Sequence, residues 1–215
     1  MNIINFSEQH SVINQFLAEL RDKKYQQNRL LFRNNIVRIG EMMAFELSKT
    51  LEYKPKKVVT PLATAEVMVP KDEIVIATVL RAGLPFHEGF LHVFDHAENA
   101  FVSAYRMYTN REHTEVGVHT EYLASPSVKG KTLIIADPML ATGGSAVSAI
   151  NAMKSRGANQ IKLVCLVGVP EGVKAVQKAH PDVDIYLAAM DDHLNENGYI
   201  VPGLGDAGDR IFGTK

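Results

Sequence analysis

The chain has 215 residues, 46% hydrophobic and 22% charged, which is the size and balance of a soluble globular domain with a full core. Its 23 Lys and Arg against 24 Asp and Glu leave a net charge of -1, so no basic excess marks a nucleic-acid surface, although a local site can still be positive. The single cysteine, Cys165, excludes an internal disulfide, and no apolar run approaches the roughly 18 residues of a membrane span.

The opening "MNIINFSEQHSVINQF" lacks the basic start and apolar stretch of a secretory signal, so the expected location is cytoplasmic. Residues 7–24 read as a helix with Ser7 at its N-cap, and 28–51 as a second, with Leu31, Val37, Met42, Phe45 and Leu51 at helical spacing. Both precede any strong strand, so 1–55 reads as a helical arm suited to packing on a partner subunit. "KKVVTPLATAEVMVP" alternates around Pro61 and Pro70 and predicts a short hairpin. "EIVIATVL" is the continuous apolar run of a strand covered on both faces. "LPFHEGFLHVF" reads as a helix, with His87, His92 and His96 on a solvated face, and "AFVSAY" as a strand. The polar run that follows reads as an exposed hairpin.

"KTLIIADPMLATGGSAVSAINAMKSRGANQIKLVCLVG" reads as strand, loop, helix, strand, with Ala146, Ile150 and Met153 on one helical face and Gly157 at the helix end. Cys165 falls in an apolar strand and reads as a small buried hydrophobe. "PEGVKAVQKAHP" and "VDIYLAAM" add a helix and a strand. The alternation predicts an α/β fold with a parallel sheet over 56–190. The turn-rich 191–215 then folds over the sheet.

Gly203, Gly205 and Gly208 have the spacing of a dinucleotide fingerprint, but too few residues follow for the required helix and strand. The segment reads instead as bare backbone that a flat ligand can approach, or simply as a glycine-rich coil. "LIIADPMLATGGSA" carries the stronger signal. Asp137 ends a strand, and Thr142, Gly143, Gly144 and Ser145 lead into a helix whose N-terminal N–H groups and dipole suit a phosphate. An ordinary turn with Ser145 as the helix cap reads about as well. No Lys follows the glycines, so the loop suits a monophosphate better than a triphosphate. Asp137 can accept from ribose hydroxyls or help hold Mg²⁺. Arg81 in "VLRAGLPF" and Arg106 in "SAYR" also end strands, where a guanidinium can clamp phosphate. His92 and His96 have i, i+4 spacing, but no H-E-x-x-H and no third zinc ligand accompany them.

On "VLRAG", "ADPMLATGGS", "KAHPDV", "LNENGYIVPGLGDAGDRIFGT" and, more weakly, "TPL", the chain resembles the uracil phosphoribosyltransferases along nearly its whole length. The resemblance implies a type I phosphoribosyltransferase core with an N-terminal helical arm, an exposed β-hairpin and a C-terminal hood. It implies a pyrimidine-salvage reaction of uracil with phosphoribosyl pyrophosphate, giving UMP and diphosphate with Mg²⁺ held mainly by the substrate. Carried over, Asp137, Pro138, Met139, Leu140, Ala141, Thr142, Gly143, Gly144 and Ser145 become the phosphoribosyl pyrophosphate loop. Arg81 and Arg106 become its pyrophosphate contacts, with Arg111 the alternative to Arg106. Ile200, Gly205, Asp206 and Ala207 become the uracil site, Asp206 facing both substrates. A homodimer or larger homo-oligomer and a GTP effector are further implications; a nucleic-acid or membrane partner is not. The chain departs from the family at Pro85 and Phe86 and in "YRMYTNREHTEVGVHTEY". Another base specificity, or a regulator that binds the same ligands without turnover, are the rival readings.

Overall fold

The computed structural model describes residues 2–108 and 116–214, so Arg111 lies outside the described residues. The chain starts with a short strand, β1 (Ile3–Asn5), then α1 (Val12–Arg21) and α2 (Arg29–Ser48). This corrects one expectation. Ser7 does not open the first helix: it sits in a 3-10 turn, and Ser11 caps α1 by accepting from the Ile13 N–H at 3.3 Å. The short β1 joins the sheet edge; three residues are too few for an alternation to show. Asn28 caps α2 by accepting from the Leu30 and Leu31 N–H groups.

Next come β2 (Tyr53–Val59) and β3 (Thr64–Pro70), the expected hairpin, and β4 (Ile74–Leu80), followed by α3 (Leu84–Val93). Then β5 (Glu98–Tyr108) pairs antiparallel with β6 (Val116–Ala124). The strand–loop–helix–strand unit is β7 (Thr132–Ala136), a two-residue β8 (Met139–Leu140), α4 (Gly144–Lys154) and β9 (Gln160–Gly168). The chain closes with α5 (Pro170–Ala179), β10 (Asp184–Met190), the small pair β11 (His193–Leu194) and β12 (Ile200–Val201), and α6 (Ala207–Phe212).

The main sheet runs β1-β10-β9-β7-β4-β5-β6, with β8 beside β9, and all pairings but β5–β6 are parallel. Successive residues of a strand point to opposite faces, so the apolar runs divide between two cores. Ile74, Ile76, Ile134 and Ala136 face α1, α2 and α3. Val75, Ala77, Leu133 and Ile135 face α4 and α5, together with Cys165, whose burial pushes its thiol up well above the usual range. That double cover is the reason the strands carry no polar alternation.

The α2–α3 contact explains Pro85 and Phe86. A Cβ on Gly89 would lie 2.2 Å from the Val37 carbonyl oxygen, and one on Gly40 2.8 Å from that of Phe86, so the two helices touch backbone to backbone. Phe86 packs at the junction, edge-on to Phe90 with 5.3 Å between ring centroids, and Pro85 is buried in the first turn of α3. His87 is 4% exposed, not solvated as expected: Nε2 meets Asn99 Oδ1 at 2.6 Å, and burial lowers its pKa. His92 instead meets Glu41 at 2.6 Å on the surface, and His96 lies beyond the end of α3.

Candidate active site

From β4 the chain crosses to β5 on one side; from β7 it crosses to β9 on the other. The strand order therefore reverses between β4 and β7, and their outgoing loops diverge. A crevice opens at the carboxyl ends of the strands, where open α/β sheets take their ligands. The cleft there holds about 480 Å³. Its walls include Arg81, Asp137, Met139, Ala141, Ser145, Ile200, Gly205, Asp206 and Ala207. Residues up to 126 positions apart in the chain thus meet as the sequence implied.

Other expected residues do not line it. Leu140 is 1% exposed and belongs to the α4–α5 core, and Pro138 is buried, its carbonyl accepting from the Leu166 and Val167 N–H groups. Gly143 packs on α5: at φ +81 its missing Cβ would sit 2.8 Å from Ala175 Cβ. Thr142 and Gly144 are likewise not among the cleft walls. Arg106 lies on β5 opposite Val118, but its side chain is outside the described set.

Ser145 does not cap α4. Gly143 holds the N-cap position, and no side-chain cap hydrogen bond is made there. Asp137 is 8% exposed at the end of β7. Burial raises its pKa to about 6, against a smaller opposing pull from the Met139 N–H, which donates to Oδ1 at 3.3 Å. Arg81, one residue past β4, places its guanidinium 5.7 Å from the centroid of the Phe212 ring in α6. Close packing of the turn requires Gly83, where a Cβ would fall 2.4 Å from Thr78 Oγ1.

The opposite wall is the segment from β11 to α6. Ile200 pairs with Leu194, and the adjacent bond runs from the Asn195 N–H to the Tyr199 carbonyl at 2.8 Å. That makes Ile200–Leu194 a non-hydrogen-bonded pair, in which each residue turns its own N–H and C=O away from the partner strand. Ile200 lines the cleft while its side chain belongs to the buried core. Gly205 has φ +84, and Asp206 caps α6 by accepting from the Asp209 N–H at 2.9 Å. The glycines of the apparent dinucleotide motif thus follow a two-residue strand outside the main sheet.

Sequence reasoning missed Asn197, Gly198 and Tyr199, which also line the cleft. Their place just before Ile200 in "NENGYIV" was the available signal. Among the described residues no group of three or more His, Cys, Asp or Glu could hold a metal.

This α/β arrangement, with its crevice at the strand-order reversal, is the fold of the solved phosphoribosyltransferase class. A solved hypoxanthine phosphoribosyltransferase from Staphylococcus aureus shares the fold, with a TM-score of 0.51 and 20% identity over 75% of this chain and 76% of its own. Within that class the chain belongs to the uracil phosphoribosyltransferase family, whose sequence pattern matches residues 7–214. It is similar to the uracil phosphoribosyltransferase of Porphyromonas gingivalis, 48% identical over 217 residues and 100% of each chain. A solved Aquifex aeolicus protein matches with a TM-score of 0.89 and 31% identity over 99% of both chains.

Proposed function

We propose that this cleft joins uracil to the phosphoribosyl group of 5-phospho-alpha-D-ribose 1-diphosphate, releasing UMP and diphosphate. The observation that supports the base specificity is Ile200, a cleft residue with a core-packed side chain and with its own N–H and C=O unused by the paired strand. Uracil offers the matching N3–H donor beside an O4 acceptor. The N–H groups of Gly205 to Ala207 are within the same wall and suit O2.

The ribose side falls to the other wall. The N-terminus of α4 receives the 5-phosphate through backbone N–H groups and the helix dipole. Asp137 accepts from ribose hydroxyls, which holds the anomeric carbon in line with the base nitrogen. Positive charge develops at that carbon in the transition state, and the buried carboxylate stabilises it. Arg81 neutralises the leaving diphosphate, with Arg106 or Arg111 as the second cation. The donor set fits a cation brought in by diphosphate oxygens: Asp137 and Asp206 face the cleft, and no three-carboxylate cage is present among the described residues. When bound, Mg²⁺ supplies positive charge against the departing diphosphate.

The test is diphosphate release in the presence of phosphoribosyl pyrophosphate and uracil, cytosine or hypoxanthine. Release with uracil alone is expected. Equal release with hypoxanthine would point to a purine enzyme, and binding without release to a regulator.

The second part of the reading is a homo-oligomer acting in the cytoplasm; no helix among the described residues is long and apolar enough to cross a membrane. Every residue of β2 is exposed, and β2 pairs with β3 alone, in a sheet of two strands. Such a ribbon is marginal by itself in water. Its tip exposes Val59 at 86% and Leu62 at 98%. A second copy covering that tip accounts for both facts. Val59→Asp with Leu62→Asp should shift the sedimenting species toward monomer at micromolar concentration; an unchanged assembly would show that the tip is not part of the interface.

A further inference from the structure

Arg21, in the last turn of α1, and Asp191, directly after β10, form a bidentate pair at 2.7 and 2.9 Å. The pair also grips a peptide of the hood. Asp191 Oδ2 accepts from the Gly203 N–H at 2.8 Å, and Arg21 Nη1 donates to the Gly203 carbonyl at 3.0 Å. One residue on, Gln26 Nε2 donates to the Leu204 carbonyl at 2.9 Å and to that of Leu20 at 2.7 Å.

An ion pair that merely fastened the arm to the sheet could be replaced by apolar side chains with little loss. Here both charged groups are bonded to the two polar ends of one residue, a task apolar side chains cannot perform. That residue touches the base wall directly. Gly203 has φ +58, and a Cβ on it would lie 2.2 Å from the Ile200 carbonyl oxygen. Any displacement of Gly203 therefore moves or crowds the carbonyl assigned to uracil on one side and the Gly205 N–H on the other.

We infer that Arg21 and Asp191 are positioning residues for base selection: the N-terminal arm, through this clamp and Gln26, sets the register of the backbone that reads the pyrimidine. The inference rests on the assignment of Ile200 and Gly205 as that backbone. Neither clamp residue is among the cleft walls, so its effect reaches the base through Gly203. The planar guanidinium is required because one group must serve two carboxylate oxygens and a carbonyl in a plane; a lysine ammonium has no such fork.

The experiment uses the full chain with Arg21→Ala and Arg21→Lys. Three quantities are measured: hydrogen exchange at the amides of 203–205, kcat/KM for uracil and cytosine, and the affinity for phosphoribosyl pyrophosphate. In Arg21→Ala the 203–205 amides should exchange faster. The kcat/KM for uracil should fall about 100-fold, the scale of a 1 Å misplacement, with the uracil preference reduced. Affinity for phosphoribosyl pyrophosphate, whose ribose and 5-phosphate bind the opposite wall, should stay within about twofold on the same reasoning. Arg21→Lys, which keeps a charge beside Asp191 and so protects folding, should fall between. Unchanged exchange at 203–205 would overturn the clamp itself. Faster exchange with an unchanged uracil preference would instead sink the assignment of this backbone to the base, and the positioning role with it. An equal loss for both substrates would reduce the pair to a structural tie.

Discussion

Asp137→Asn is expected to be more stable than the parent at pH 8 and at least about 100-fold slower in turnover. The two effects share one cause. Burial holds the Asp137 carboxyl at a pKa of about 6 where its ordinary value is 3.8. The folded protein therefore binds this proton more tightly than the unfolded chain does. As pH rises from about 4 to 6 the unfolded chain gives up the proton first, so this group's contribution to stability falls across that window and the loss is complete above it. A displacement of that size corresponds to roughly 3 kcal/mol, from which the burial of an amide must be subtracted. Asparagine removes the charge and keeps an oxygen for the Met139 N–H. It loses the negative field beneath the ribose. In the parent, kcat/KM for phosphoribosyl pyrophosphate should rise with pH through about 6 as the carboxylate forms, and that inflection should vanish in the variant. Urea midpoints at pH 4.5 and 8, with the pH–rate profile, check all three statements. A variant that turns over normally, or one destabilised at pH 8, would show that the buried carboxylate is structural.

Ile200→Pro should lose the uracil preference while Ile200→Val keeps it. The side chain of Ile200 packs in the core, and the register with Leu194 leaves its own N–H and C=O unused by β11. Valine changes only volume, at a cost of about 1 kcal/mol in stability. Proline deletes the N–H, so O4 of uracil loses its donor. Cytosine presents the reversed pair and leaves two buried groups mismatched, each costing about 1–3 kcal/mol in the parent. The parent should therefore discriminate by more than about 100-fold. The ratio of kcat/KM for uracil and cytosine in the three proteins decides the matter. Loss of preference in Ile200→Val, or its retention in a folded Ile200→Pro, would mean that another group reads the base.

The sheet was legible in the order of residues because its strands are covered on both faces. Runs such as Ile74–Leu80 and Thr132–Ala136 are apolar without alternation and show plainly in one dimension. The strand–loop–helix unit proposed for phosphate was legible for a similar reason, since a strand, a carboxylate and a glycine-led helix start are neighbours in the chain. The loop's interior was not. Leu140 and Gly143 sit inside a functional-looking motif, yet one fills the core and the other allows α5 to approach. His87 was misplaced because helical spacing says which residues share a face, not whether another element covers it.

By itself the sequence determined the alternation of strands and helices, the location of the glycine-led turn after β7 and membership of the family, because each is written in contiguous residues whose local periodicity and chemistry are visible without a fold. The tertiary structure decided which of those residues reach a common cleft, that the Ile200 side chain packs in the core, and that Arg21 grips Gly203 across 182 positions. It also gave Asp137 its displaced proton affinity. Those properties depend on what the chain places in the surrounding space: burial, register and distance arise only when segments far apart in sequence are packed together.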